Sequence, residues 1–224
     1  MKHLILFLAA TLIDCINTTR EGFVVTIEDP IEFEHVSRRS LINQRQVGRD
    51  ARSFNDALVE AMRQDPDVIL VGEIRDTETV RTALRAAETG HLVFTTLHAG
   101  DCAGAIERIV SVFPADEQNS VRHQLAMVLR GIVAQHLPAS ADGTCRHVVA
   151  EVLVNTTGVS NLIATGRTAQ IPSAIETGAN VGMRSLEESL AELLRAGAID
   201  ERTAFLLTRN PETLQRRLYG DDAS

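Results

Sequence analysis

Glu73 closes the string DPDVILVGE, an acid placed directly behind an apolar run. Nucleotide-hydrolysing folds use that arrangement to hold a magnesium–water network and align an attacking water. A short apolar run ending in Gly-Glu reads equally well as a solvated acid behind a buried strand, so its company decides. Glu28 and Asp29 follow a second apolar run, FVVTI. Two or three carboxylates around one crevice repel each other unless a cation or arginines lie between them, and magnesium with phosphate would satisfy such a group. His91 and His98 bracket a third run, seven residues apart. A period of two puts them on opposite faces, so a metal pair is not expected. A single histidine is more often structural, but His98, at the end where ligands bind, could hydrogen-bond a phosphate or a neighbouring acid. Arg38, Arg39, Arg45, Arg49 and Arg52 crowd the segment after the first run. Taken singly, each reads as an exposed arginine balancing nearby acids. As a group they are candidates for phosphate contacts to an adjacent subunit's nucleotide, because the guanidinium fork matches phosphate oxygens.

These groups share a site only if the backbone brings them together. Residues 23–27 are β-branched enough for a strand, and Pro30 ends it because it cannot donate to a central ladder. Ser53 is placed to cap a helix carrying Phe54, Ala57, Leu58, Ala61 and Met62 on one side, closed by Asp65-Pro66. The run Val68 to Val71 suits a strand covered on both faces, leaving through Gly72. A second helix starts at Asp76 or Thr77, carries Val80, Ala83, Leu84 and Ala87, and stops at Gly90. Residues 92–97 form a third strand that ends at His98. Apolar strands separated by helix-length crossovers predict a parallel α/β sheet, whose ligand crevice lies outside the carboxyl ends of the strands. The expected site therefore gathers Glu28, Asp29, Glu73 and His98.

Beyond residue 100 the periodicity is mainly helical. Residues 131–137 and 147–154 flank the polar stretch ASADGTCR and are expected to pair as strands that extend the sheet. Short helices follow, the last capped by Asn210 with Pro211 in its first turn. The expected organisation is an α/β core over residues 1–155 and a small helical lobe over 156–224. With 224 residues, 44% of them apolar, the chain can bury a full core. A formal charge of -8 disfavours nucleic acid as a partner. Cys15, Cys102 and Cys145 lie too far apart for a disulfide framework or zinc ribbon, which fits a reducing cytoplasm. Lys2 followed by an apolar run has the outline of a secretory signal; its rival is a buried helix.

The strings INTTREGFVVTIEDPIEFEH, DPDVILVGEIRD and AAETGHLVFTTLHA resemble, in order and separation, the aspartate, Walker B and histidine boxes of the type II and type IV secretion ATPase superfamily. VFPADEQ, GIVAQHLP, SAIETGANVGMRSLEESL and LLRAGAI resemble its pilus-retraction (PilT-type) members, so the likeness covers almost the whole chain. The resemblance implies a RecA-like P-loop NTPase core, a homo-hexamer or ring of homologous ATPases, and ATP hydrolysis with Mg2+. It also implies a cytoplasmic position at the inner membrane beside a pilus platform protein, with twitching motility as the output. Under it, Glu73 is the water-activating glutamate, Glu28 and Asp29 are aspartate-box acids, and His91 and His98 are the histidine-box pair. Arg45 acts on nucleotide within or across an interface, and Thr26 and Arg75 are weaker carry-overs.

Two departures stand beside the likeness. Where the family has a G-x-x-x-x-G-K-[ST] loop the chain reads MKHLILFLAA, with Leu4 and Ile5 in place of the phosphate-binding lysine and the magnesium-binding hydroxyl. Without that cradle, weak binding of ATP and Mg2+ is expected, and a truncated motor is the leading reading. The family's N-terminal domain has no counterpart in these residues. Of the retraction branch's alanine-isoleucine-arginine-asparagine-leucine motif, only the second half survives in Gly158-Val159-Ser160-Asn161-Leu162. The alternatives are a catalytically inactive assembly subunit and an extension or type II secretion ATPase.

Overall fold

The computed structural model describes residues 2–220, with side chains from Phe7 onward, so the side chains of Leu4 and Ile5 lie outside the described residues. Helix α1, Lys2–Thr19, opens the chain. Ala9, Ile13 and Ile16 recur on it at helical spacing and pack with Val24, Val68 and Leu70, which is the buried-helix alternative for the apolar run. Among the described residues no helix is long and apolar enough to cross a membrane.

There follow β1 (Gly22–Glu28), β2 (Ser40–Gln46), α2 (Phe54–Met62), β3 (Val68–Val71), α3 (Thr77–Glu88) and β4 (Leu92–Thr95). The four strands form one parallel sheet in the order β2-β1-β3-β4. Alternation divides its side chains. Val24, Thr26, Glu28, Val68 and Leu70 share the α1 face, whereas Val25, Ile27, Ile69 and Val71 form the opposite face, all four fully buried. Ser53 caps α2 by accepting from the Asp56 amide, and Asp76 caps α3 by accepting from the Thr79 amide. Gly90 takes a positive φ of 102°, which stops α3 where the sequence places its end. Strand β2 was not expected. Its string SLINQRQ shows no apolar alternation, because it lies at the sheet edge and follows a single aliphatic on the α1 face, Ile42, with the glutamines Gln44 and Gln46.

The remaining elements are α4 (Cys102–Ser111), α5 (Gln118–Val128), β5 (Gly131–His136), β6 (Val149–Val154), α6 (Thr157–Ala164), α7 (Ile171–Thr177), α8 (Leu186–Arg195), α9 (Glu201–Leu207) and α10 (Pro211–Tyr219). The chain divides into two compact units, Met1–His98 with Ile109–Val128, and Ala99–Arg108 with Leu129–Ser224. The expected boundary after residue 155 falls inside the second unit. Its core gathers Val149, Leu186, Leu190, Ala191, Ile199, Ala204 and Leu214. One expectation is corrected here: β5 and β6 do pair, antiparallel, but in their own two-stranded sheet rather than as an extension of the parallel one. The outer edge of β6 is occupied instead by Arg184, which exchanges two backbone hydrogen bonds with Val152 at 2.8 and 3.0 Å.

Candidate functional site

Strands β1, β3 and β4 are neighbours, and all three run toward the same edge, where Glu28, Glu73 and His98 stand. Gly72 makes the approach possible. Its amide donates to the Ile27 carbonyl at 2.7 Å, and a Cβ there would lie 3.1 Å from that oxygen and 3.4 Å from the Glu28 Cα. The backbone leaving β3 thus runs against the end of β1, so Glu73 emerges beside Glu28. The Thr96 hydroxyl donates to the Gly72 carbonyl, tying the end of β4 to the same turn.

Glu73 is held at both oxygens. His98 Nε2 lies 3.2 Å from Oε1, and Arg75 Nη2 donates to Oε2. The Glu73 side chain is 19% exposed, against 49% for His98 and 64% for Arg75. The hydrogen bond from Arg75 to Glu73, then the charge of Glu73 and that of Asp29, push the Arg75 guanidinium's pKa above its ordinary value. Asp29 therefore belongs to the same electrostatic group, which comprises three carboxylates, one guanidinium and one imidazole. Glu28 is nearly buried, and its Oε1 accepts from Thr26 Oγ1 at 2.6 Å and Gln44 Nε2 at 3.1 Å.

Chemically, the edge offers carboxylate oxygens for a hard cation and a partly buried carboxylate beside them that can align water. Among the described residues no three metal-ligating side chains are grouped closely enough to hold an ion alone. Phosphate oxygens and water would have to complete any magnesium shell, as that ion favours.

Two expected site residues stand elsewhere. His91 precedes β4 at the opposite end of the strand, and its Nδ1 lies 3.0 Å from the Ala86 carbonyl and 3.1 Å from Thr89 Oγ1, at the end of α3. Arg45 shares the sheet face opposite Glu28, where Nη2 donates to Gln64 at 2.8 Å and Nη1 lies 3.8 Å from Glu60. Arg38, Arg39 and Arg49 pair with Asp14, Glu21 and Asp50, the local balancing that single arginines suggest. Sequence reasoning missed Gln44 and Thr96, polar residues whose partners lie on other strands.

The type II/IV secretion system protein family matches residues 7–177. The chain is 45% identical over 203 residues to the type IV pilus retraction ATPase PilT of Pseudomonas aeruginosa, covering 91% of this chain and 59% of that protein. To a twitching motility protein of Neisseria gonorrhoeae it is 46% identical over 205 residues, covering 92% of this chain and 55% of that relative. A crystal structure of the pilus retraction motor PilT with bound ADP superposes with a TM-score of 0.85 at 43% identity, over 93% of this chain and 59% of that one. The chain thus spans somewhat over half the length of these relatives.

Proposed function

The chain belongs to the type II/IV secretion system protein family, and from that premise we propose that it carries the hydrolytic edge of an ATP-driven pilus-retraction motor. One observation carries the reading: carboxylates from β1 and β3 and an imidazole from β4 meet at a single sheet edge, with Glu73 bridged to His98. In this reading Glu73 draws the proton from a water that attacks the terminal phosphorus of ATP, releasing ADP and phosphate. Glu28 and Asp29 would hold a magnesium ion together with phosphate oxygens and water, and His98 would couple the state of the phosphate to Glu73. Arg45 and His91 lie apart from this group; Arg45 acts on nucleotide within or across an interface of a six-membered ring, and His91 is the other member of the histidine-box pair. That ring works in the cytoplasm against an inner-membrane pilus platform protein, and twitching motility is the outcome.

The sequence contains one lysine, Lys2, and no lysine loop of the phosphate-gripping kind, so the 224 residues alone should hydrolyse ATP at background rate. Appending the phosphate loop of the Pseudomonas relative should restore turnover, and Glu73→Gln should then lower it by about 100-fold or more. A folded, loop-bearing protein that ignores Glu73→Gln would defeat the proposal. The single lysine also favours a second reading, an assembly subunit that joins a ring of complete relatives without hydrolysing ATP.

A further inference from the structure

Glu28 is nearly buried, yet Thr26, the group of its own strand that bonds its carboxylate, does not by itself fix which way that carboxylate points. The register decides it. Strand β1 pairs with β2 so that Thr26 lies directly opposite Gln44, both two residues before the strand ends on the face that carries Glu28. Thr26 Oγ1 and Gln44 Nε2 then donate to the same oxygen, Oε1, at 2.6 and 3.1 Å. Among the described residues Oε2 receives no hydrogen bond.

Gln44 does more than hold one oxygen. Its Nε2 also donates to the Phe33 carbonyl at 2.7 Å, and its Oε1 accepts from the His35 amide at 2.7 Å. All three contacts fix one amide orientation, since a flipped amide would set its oxygen against a carboxylate and a carbonyl. Glutamate at this position would meet the same two acceptors, and methionine would fill the space but make none of the bonds. Two further amides secure the same stretch of chain. Gln46 Oε1 accepts from the Ile31 amide at 3.4 Å, and buried Asn17 donates to the Val36 carbonyl and accepts from the Arg38 amide, both at 2.9 Å. The segment after Asp29 is therefore pinned to β2 and α1 by side-chain amides, and the one amide that also reaches the acidic edge is Gln44.

We propose that Gln44 is a positioning residue for the nucleotide site: with Thr26 it clamps Oε1 of Glu28 and leaves Oε2 facing the metal–nucleotide, while it locks residues 33–35 to the same point. This role rests on the nucleotide reading given above.

The test uses the 224-residue chain with a manganese–ATP complex as a paramagnetic probe, read by NMR line broadening alongside amide hydrogen exchange. In the parent chain, broadening is expected at Glu28, Glu73 and His98. Gln44→Met should speed exchange of the His35 amide by about tenfold or more and raise the manganese–ATP concentration needed for half-maximal broadening at Glu28, Glu73 and His98 by about tenfold. Thr26→Val touches the carboxylate but not the loop, so it should raise that concentration likewise and leave His35 exchange unchanged. A half-maximal concentration that neither substitution raises overturns the proposal. A parent chain with no localised broadening at any of the three residues overturns the nucleotide reading and this role together; faster exchange at His35 would then mark Gln44 as a purely structural amide.

Discussion

Both oxygens of Glu73 are engaged, and the proposed role as a base that aligns water needs one of them released. Arg75 is the partner placed to leave, because most of its side chain is in solvent and exposed ion pairs hold weakly. Arg75→Gln should consequently leave the urea unfolding midpoint of the chain indistinguishable from the parent's; a clear drop would mean the pair is structural. Cys102 presents the reverse situation. It is fully buried, its Sγ lies 3.7 Å from the carbonyls of Ile132 and Glu151, and burial, followed by the charge of Glu151, pushes its thiol well above the usual range. Cys15 and Cys145 are exposed. A thiol reagent should label those two quickly and reach Cys102 only on unfolding, even at pH 9, since the reacting species is the thiolate. Fast labelling of all three would refute the placement of Cys102.

Elements, rather than residues, decide how much of this was legible in the sequence. Strands β1 and β3 follow from apolar runs because they are covered on both faces, β4 from an apolar run at the sheet edge, and helices α2 and α3 from caps, breakers and a one-sided apolar spacing. Hence Glu28, Glu73 and His98 could be assigned to one edge from residue types alone. Strand β2 could not be read: of its inward positions only Ile42 is apolar, Gln44 and Gln46 satisfy a loop, and hydrogen bonding across strands leaves no periodic trace. The same gap hid the side of the sheet on which Arg45 lies. Two predictions belong to this scale. Asp76 accepts from both the amide and the hydroxyl of Thr79 at 2.8 and 2.7 Å. Asp76→Ala should cost about 1 kcal/mol in urea unfolding, the usual loss for a helix cap. In the loop between β5 and β6, hydrogen bonds from Ser140 and Thr144 lower the Asp142 carboxyl from 3.8 to about 2. A folded-state pKa below the unfolded one stabilises the fold fully above the unfolded value. That contribution is lost as pH falls from 3.8 toward about 2. The difference in melting temperature between the parent and Asp142→Asn should therefore be constant near neutral pH and vanish across that acid range. A difference that persists below pH 2 would show that the loop does not depend on this charge.

At the scale of the whole molecule, the acidic edge is complete but the grip on the triphosphate is not present in these residues. Carboxylates alone repel ATP, so they become useful only when a lysine-bearing loop and a magnesium ion offset them. The chain's formal charge of -8 sharpens that requirement. A ring offers a setting in which the edge would matter without a grip of its own, because a subunit in it is flanked by complete relatives. If this chain joins such a ring, each incorporated copy replaces one working site with one that binds ATP too weakly to turn it over. Titrating it into the Pseudomonas retraction ATPase should then lower turnover per relative subunit in a dose-dependent way, and sedimentation should show the two proteins moving together. The same titration with the phosphate loop appended should spare turnover, since the incorporated edge would then be supplied with its ligand. Turnover and sedimentation that stay unchanged at equal concentrations would exclude ring-joining and leave the chain's acidic edge dependent on a phosphate loop within its own polypeptide.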